Sequence, residues 1–307
     1  MTFNEQFITQ RLKDRLKKWY GIEINISTFH SLGYQIIREE TGKKPQLLFD
    51  GKEKEQRKLI KDTFLEALHE EEFQKLFIEY LAYHLEQDLE EDSFEDKEEY
   101  YKYMHNKKYS TLNNIEVKSI SERDIGNFLF LNGISFEYEP LVQWVDKSED
   151  DKEYRPDFYL PYYDIYIEHW GVNEHHGVPP WFTKTTEEYL NLRKWKSSQF
   201  EKHHKTLVET WDFERNKDIL IPNFKQNLLK ANPEIKLAPL SYEELVERTN
   251  QFKEKRNEIV QLLLSFIRIA KSNFYKEADI EQKLKMRKYS KKQKIFGKMA
   301  LEIYRRY

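Results

Sequence analysis

The chain has 307 residues, long enough for two domains, and its 51 Lys and Arg against 54 Asp and Glu leave a formal net charge of −3. It has no Cys, which excludes disulfides and Cys-ligated zinc. No apolar run approaches the roughly 20 residues that cross a bilayer, and no stretch reads as a signal peptide, so the expectation is a cytoplasmic protein without a membrane partner. Total charge gives no argument for nucleic-acid binding, but its distribution is uneven. Glu86–Glu99 is an acidic run, whereas Lys283–Lys298 and Arg305-Arg306 are basic.

Residues 1–112 carry a mainly helical pattern. Phe7, Ile8, Leu12 and Leu16 fall near helical spacing, as do Leu59, Ile60, Phe64 and Leu65. The chain changes character over residues 113–215. Ser121 is a candidate cap for a helix that buries Ile125, Phe128, Leu129 and Leu131, and Asn132-Gly133 would end it. Ile134–Val145 alternates as a strand and is followed by a polar, acidic loop over Asp146–Glu153. Two short strands are expected at Phe158–Leu160 and Ile165–Ile167, then a polar helix around Thr186–His203 and a last strand at Thr206–Trp211. Helix, three strands, helix, strand fits a compact α/β unit. Residues 216–307 return to a helical pattern, in which Ile259, Leu262, Leu263, Phe266, Ile267 and Ala270 supply an apolar stripe.

The stretch Tyr154–Gly171, YRPDFYLPYYDIYIEHWG, concentrates the chemistry. Pro156 fixes the backbone ahead of Asp157, and the Pro-Tyr-Tyr-Asp segment joins the two short strands as a tight turn. Folded as a hairpin, the segment sets Asp157 beside Glu168 at the end of a sheet. Glu168 interrupts an apolar run of Ile165, Ile167 and Trp170, and a carboxylate buried there is costly without a metal or a partner. Two carboxylates so placed are a seat for Mg²⁺, or Mn²⁺, and point to phosphodiester hydrolysis. His169, His175 and His176 lie close by in sequence, but without Cys and in an irregular loop they do not argue for zinc.

These residues resemble the PD-(D/E)XK nuclease superfamily, the fold of many restriction enzymes and junction resolvases. The resemblance rests on Pro156-Asp157 and Glu168, preceded by a helix carrying Glu122. It implies a restriction endonuclease-like α/β core in which Asp157, Glu168 and the carbonyl of His169 hold the metal and Glu122 sits at its edge. The family's Lys two residues after the second acid is replaced by Trp170. In several branches of that superfamily the Lys comes instead from the following helix, which here offers Lys194 and Lys196. Lys196 is the favoured candidate for stabilising transition-state charge, with Gln199 a weaker one. Arg155, Lys194 and Lys202 would contact the DNA backbone, and Trp181 and Trp195 would offer stacking platforms.

The flanks are similar to UvrD/Rep-type superfamily 1 helicases. MTFNEQFITQRLKDRL at Met1–Leu16 looks like a strand leading into a helix, and ISTFHSLGYQII at Ile26–Ile37 matches the Thr-Phe-His-Ser element of those helicases. By that likeness Thr28 and His30 would lie against single-stranded DNA, and the nuclease core would be inserted between mainly helical helicase segments at 1–112 and 216–307. No G-x-x-x-x-G-K-[ST] loop occurs, so nothing here cradles nucleotide phosphates in the motor's manner. The combined expectation is the nuclease part of a helicase-nuclease for DNA repair or defence. It would act on single-stranded or forked DNA and partner the remaining helicase lobes. A non-cleaving DNA-binding module and a helical interaction scaffold are the alternatives.

Overall fold

The computed structural model describes residues 3–23, 29–43, 53–86, 88–146, 153–175, 177–248, 251–286 and 288–307; within 3–9, 29–31 and 251–254 it describes the backbone alone. The chain divides into two compact units, residues 1–56 and 57–307. The first contains α1 (Phe3–Tyr20) and α2 (Phe29–Thr41). The backbone is thus already helical at Phe3, where the sequence suggested the end of a strand. Thr28 and the side chain of His30 lie outside the described residues.

The second unit is mixed α/β and mostly helical. α3 (Glu53–Ala67), which begins just before the division, and α4 (Glu71–Tyr83) share one apolar core with α10 (Tyr242–Arg248), α11 (Gln251–Ser272) and α13 (Lys291–Arg306). Ile60, Phe64, Phe77, Leu263, Ile267 and Met299 are buried there. α12 (Glu277–Leu284) packs through Ile280 beside Ala270 and Leu301. Segments far apart in sequence therefore close a single helical lobe, and the α/β part lies between them in the chain. α5 (Lys97–Asn106) and the short ladder of β1 (Tyr109–Ser110) with β2 (Glu116–Val117) lead into it.

The larger sheet has four strands in the order β3 (Glu137–Tyr138), β4 (Phe158–Leu160), β5 (Ile165–Trp170), β6 (Thr206–Trp211). β4 and β5 form the expected antiparallel hairpin, and Asp164 takes a positive φ of 48° to close its turn. β5 and β6 are parallel, so the chain between them crosses over, through α7 (Thr186–Lys202). Every residue of β5 is buried. Alternation along the strand sends Ile165 and Ile167 into a core with α6 (Ile120–Leu131) and α9 (Leu220–Ala231), and Tyr166 into one with Phe200 of α7. α8 (Asp212–Asn216) follows β6 directly.

Two local expectations change. Ser119, not Ser121, caps α6: its Oγ accepts the Glu122 N–H at 3.1 Å, and Ser121 is buried inside the helix. The strand expected over Ile134–Val145 shrinks to Glu137–Tyr138, with one isolated bridge between Val142 and Tyr154. Glu139 is the break, since its φ of +48° turns the backbone out of the extended region. The far end of α6 matches expectation, capped at Asn132 with Gly133 at φ +68°.

Candidate active site

Asp157 stands immediately before β4, and β5 presents Glu168 and His169 beside it. The His169 N–H donates to Asp157 Oδ2 at 2.6 Å, which holds the first acid against the second strand. The Asp157 carbonyl accepts the Glu139 N–H at 3.0 Å and fixes its backbone from the other side. The hairpin therefore brings the two acids together. Asp157 keeps a partly exposed edge, whereas Glu168 is only 2% exposed.

Period-two geometry puts Glu168 and Trp170 on the sheet face covered by α7. Lys196 reaches down from that helix and donates to both Glu168 oxygens, at 2.9 and 2.8 Å. Its ammonium lies 4.9 Å from the Tyr154 ring centroid and 5.4 Å from that of Trp170. The indole at position 170 thus floors the cation, where a Lys at 170 would have shared the face with Glu168. The Tyr154 hydroxyl also donates to Glu168. α7 is held in place by a capping box between Thr185 and Glu188.

Burial is the leading reason that Asp157 is pushed well above the ordinary carboxylate range, and the negative charges of Glu168 and Glu122 add to it. Lys196 and the His169 amide pull the other way and do not win. Burial also pushes Glu168 up, against the pull of Lys196 and of the Tyr154 hydroxyl. The Lys196 ammonium sits directly on Glu168, so its pull bears most closely on that acid.

Glu122 lies within electrostatic reach of Asp157, but its oxygens are already engaged. Oε1 accepts from Ser119 Oγ at 2.8 Å, and Oε2 from the Lys118 N–H at 3.1 Å and the Tyr138 hydroxyl at 2.6 Å. It is tied into the first turn of α6, and its charge also acts on Asp157. Arg155 donates to the Glu139 carbonyl at 3.0 Å and pairs with Glu153 at 3.1 Å, near the surface. Lys194 is exposed on α7, and Lys202 pairs with Asp146. Gln199 is buried and accepts the Asp146 N–H at 3.1 Å, so it anchors a loop. Trp195 packs edge-on to Tyr154 and Trp181 packs against Tyr100 and Tyr101, both as parts of aromatic clusters. His176 and residues 147–152 lie outside the described residues.

Four further residues support the site, Glu209, Arg193, Thr210 and Asp212. Glu209 pairs in register with Glu168 and interrupts β6 as Glu168 interrupts β5, which is the signal that would have found it. It is neutralised by Arg193, at 3.1 Å, and accepts the Trp170 indole N–H at 2.9 Å. His169 points its ring to the opposite face, where Nδ1 meets Thr210 Oγ1 at 3.0 Å and Nε2 lies 3.8 Å from Asp212. Ser121 donates to the same Asp212 at 2.9 Å. Nothing in the spacing announces that contact.

The donor set fits a divalent cation in its chemistry: crowded carboxylates whose burial disfavours their charged form, which a metal's positive charge would favour. Among the described residues, however, no group of three or more His, Asp or Glu side chains is set to enclose an ion. Nor is any helix among them long and apolar enough to cross a membrane.

No protein-family model, curated protein or solved structure matches the chain.

Proposed function

We propose that this chain hydrolyses phosphodiester bonds in DNA with Mg²⁺ or Mn²⁺, through a site of the PD-(D/E)XK kind. The convergence of Asp157, Glu168 and Lys196 at one end of the sheet carries the reading. Asp157 and Glu168, with the carbonyl of His169, would hold the ion, which when bound would neutralise the scissile phosphate and acidify a water. Lys196 would shift from Glu168 toward the phosphate and meet the charge that develops there. Tyr154 keeps its proton, because burial and the Glu168 charge push its hydroxyl up, so it would stay a donor that orients Glu168. Glu122 would bias the charge at the edge while capping α6. Arg155 and Lys194 would contact the backbone of the strand. The likeness of the flanks to superfamily 1 helicases suggests a cytoplasmic helicase-nuclease for repair or defence, with the motor lobes supplied by further chain or by a partner subunit.

A second reading has its own support. The full pairing of Glu168 with Lys196, together with the engaged oxygens of Glu122, suits a site that binds DNA without cutting it. A cleavage assay on single-stranded, duplex and forked DNA with Mg²⁺ or Mn²⁺ separates the two. Cutting that vanishes in Asp157→Ala and Glu168→Ala, with binding retained, supports hydrolysis. Binding without cutting in the unaltered chain supports the second reading, and absence of both removes DNA from the account.

A further inference from the structure

A cleft of about 600 Å³ opens between the end of α4, the α8–α9 turn and the first turn of α13. None of the four proposed catalytic side chains lines it. We propose that it binds a phosphate monoester carried on a group of nucleotide size, a site independent of the proposed hydrolysis.

Its volume falls within the range that encloses small ligands. Tyr83, Leu220, Ile221 and Pro222 supply apolar and ring surface to its lining, and most of the other lining residues are charged. Most of that charge is already spent within the protein. Glu79 pairs with Lys291 at 2.7 Å, Asp124 with Arg215 at 2.9 Å and Arg123 at 2.7 Å, and Glu86 with Lys255 at 2.6 Å. Two cations remain: Lys225 and Lys292 have no acidic partner among the described residues. Asp218, on the same lining, has no ion-pair partner among the described residues, and its charge acts on His84.

Lys292 is the decisive residue. It is half-buried, and burial together with the guanidinium groups of Arg123 and Arg215 presses its ammonium below the ordinary lysine range. A half-buried cation beside two guanidinium groups, with no ion pair of its own among the described residues, is a group that a dianionic phosphate would engage. His84 is on the same lining, and its buried Nε2 has no hydrogen-bond partner among the described residues. A phosphate would engage Lys292, and the flat part of the ligand would meet the apolar lining residues.

Isothermal titration of the full chain, with a chelator present so that no cutting intervenes, tests the site. The probes are a nucleoside 5′-monophosphate, a 5′-phosphorylated oligonucleotide and the same strand with a 5′-hydroxyl. The expected result is saturable binding of a phosphorylated probe, weakened by at least roughly tenfold in Lys292→Met and largely kept in Lys292→Arg. Lys292→Met should melt no lower than the parent, so loss of binding would not reflect unfolding. Tighter binding of the mononucleotide identifies a free small molecule as the ligand, and tighter binding of the phosphorylated strand identifies a strand end. Absence of binding by both phosphorylated probes, or equal binding in Lys292→Met, overturns the proposal. Because the assay excludes metal and hydrolysis, its failure would leave the nuclease reading untouched.

Discussion

The acids and Lys196 make opposite demands on the folded chain. Asp157 and Glu168 titrate above the ordinary carboxylate range, so the folded state retains protons that the unfolded chain has released. Their contribution to stability is complete below the unfolded carboxylate value of about 4 and is lost as pH rises through their raised values. Without metal, the urea midpoint should therefore fall as pH rises above that value, and Asp157→Asn should flatten the fall. A midpoint independent of pH in both proteins would contradict the assignment. Lys196 balances the deeper acid. Lys196→Met keeps the packing on Tyr154 and Trp170 but leaves Glu168 buried without its cation, at a cost of roughly 3 kcal/mol. Adding Glu168→Gln should recover most of that loss, which a double-mutant cycle in urea would measure. Additive losses would mean that the pair does not interact.

α6 links the helical lobe to the sheet. Asn127 donates to the Ala82 carbonyl at 2.7 Å and accepts the Leu112 N–H at 2.7 Å, while Gly126 lies against the sheet. A Cβ at Gly126 would stand 2.9 Å from Thr111 Cγ2 and 3.6 Å from the Phe136 and Phe158 rings. Alanine favours a helix by about 1 kcal/mol over glycine, but overpacking here costs roughly 1–3 kcal/mol. Gly126→Ala should therefore lower the melting temperature, and a rise would show that the contact yields. Much at this scale was legible beforehand. The β4–β5 hairpin, β6 and a polar helix at α7 are all expected from the sequence and present. β3 was overextended because hydrophobic alternation does not register a backbone that turns at Glu139. The Ser-x-x-Glu spacing from Ser119 to Glu122 marks the cap that Ser121 does not make. Within the site, the placing of Lys196 came from a family likeness. Its floor of Tyr154 and Trp170 and the opposite-face trio of His169, Thr210 and Asp212 depend on tertiary packing that no short window contains.

At the scale of the molecule, the α/β part lies in sequence between helices that share one core. α3 and α4 pack with α10, α11 and α13, whereas residues 1–56 form a compact unit of their own. The core-forming residues of α3 start at Ile60, so a fragment of residues 53–307 retains every described core cluster. It should unfold in one cooperative transition, within a few degrees of the corresponding transition in the full chain. Loss of cooperativity would show that the first unit is needed to hold the second. The proposed chemistry needs only the second unit, since Glu122, Asp157, Glu168 and Lys196 all belong to it. A crystal of the full chain soaked in Mn²⁺, with the ion located by its anomalous signal, examines that chemistry at its source. The predicted result is one strong peak at bonding distance from both Asp157 and Glu168, with Lys196 displaced from its bidentate pairing. A map with no peak there, and Lys196 still seated on Glu168 at saturating metal, would contradict it.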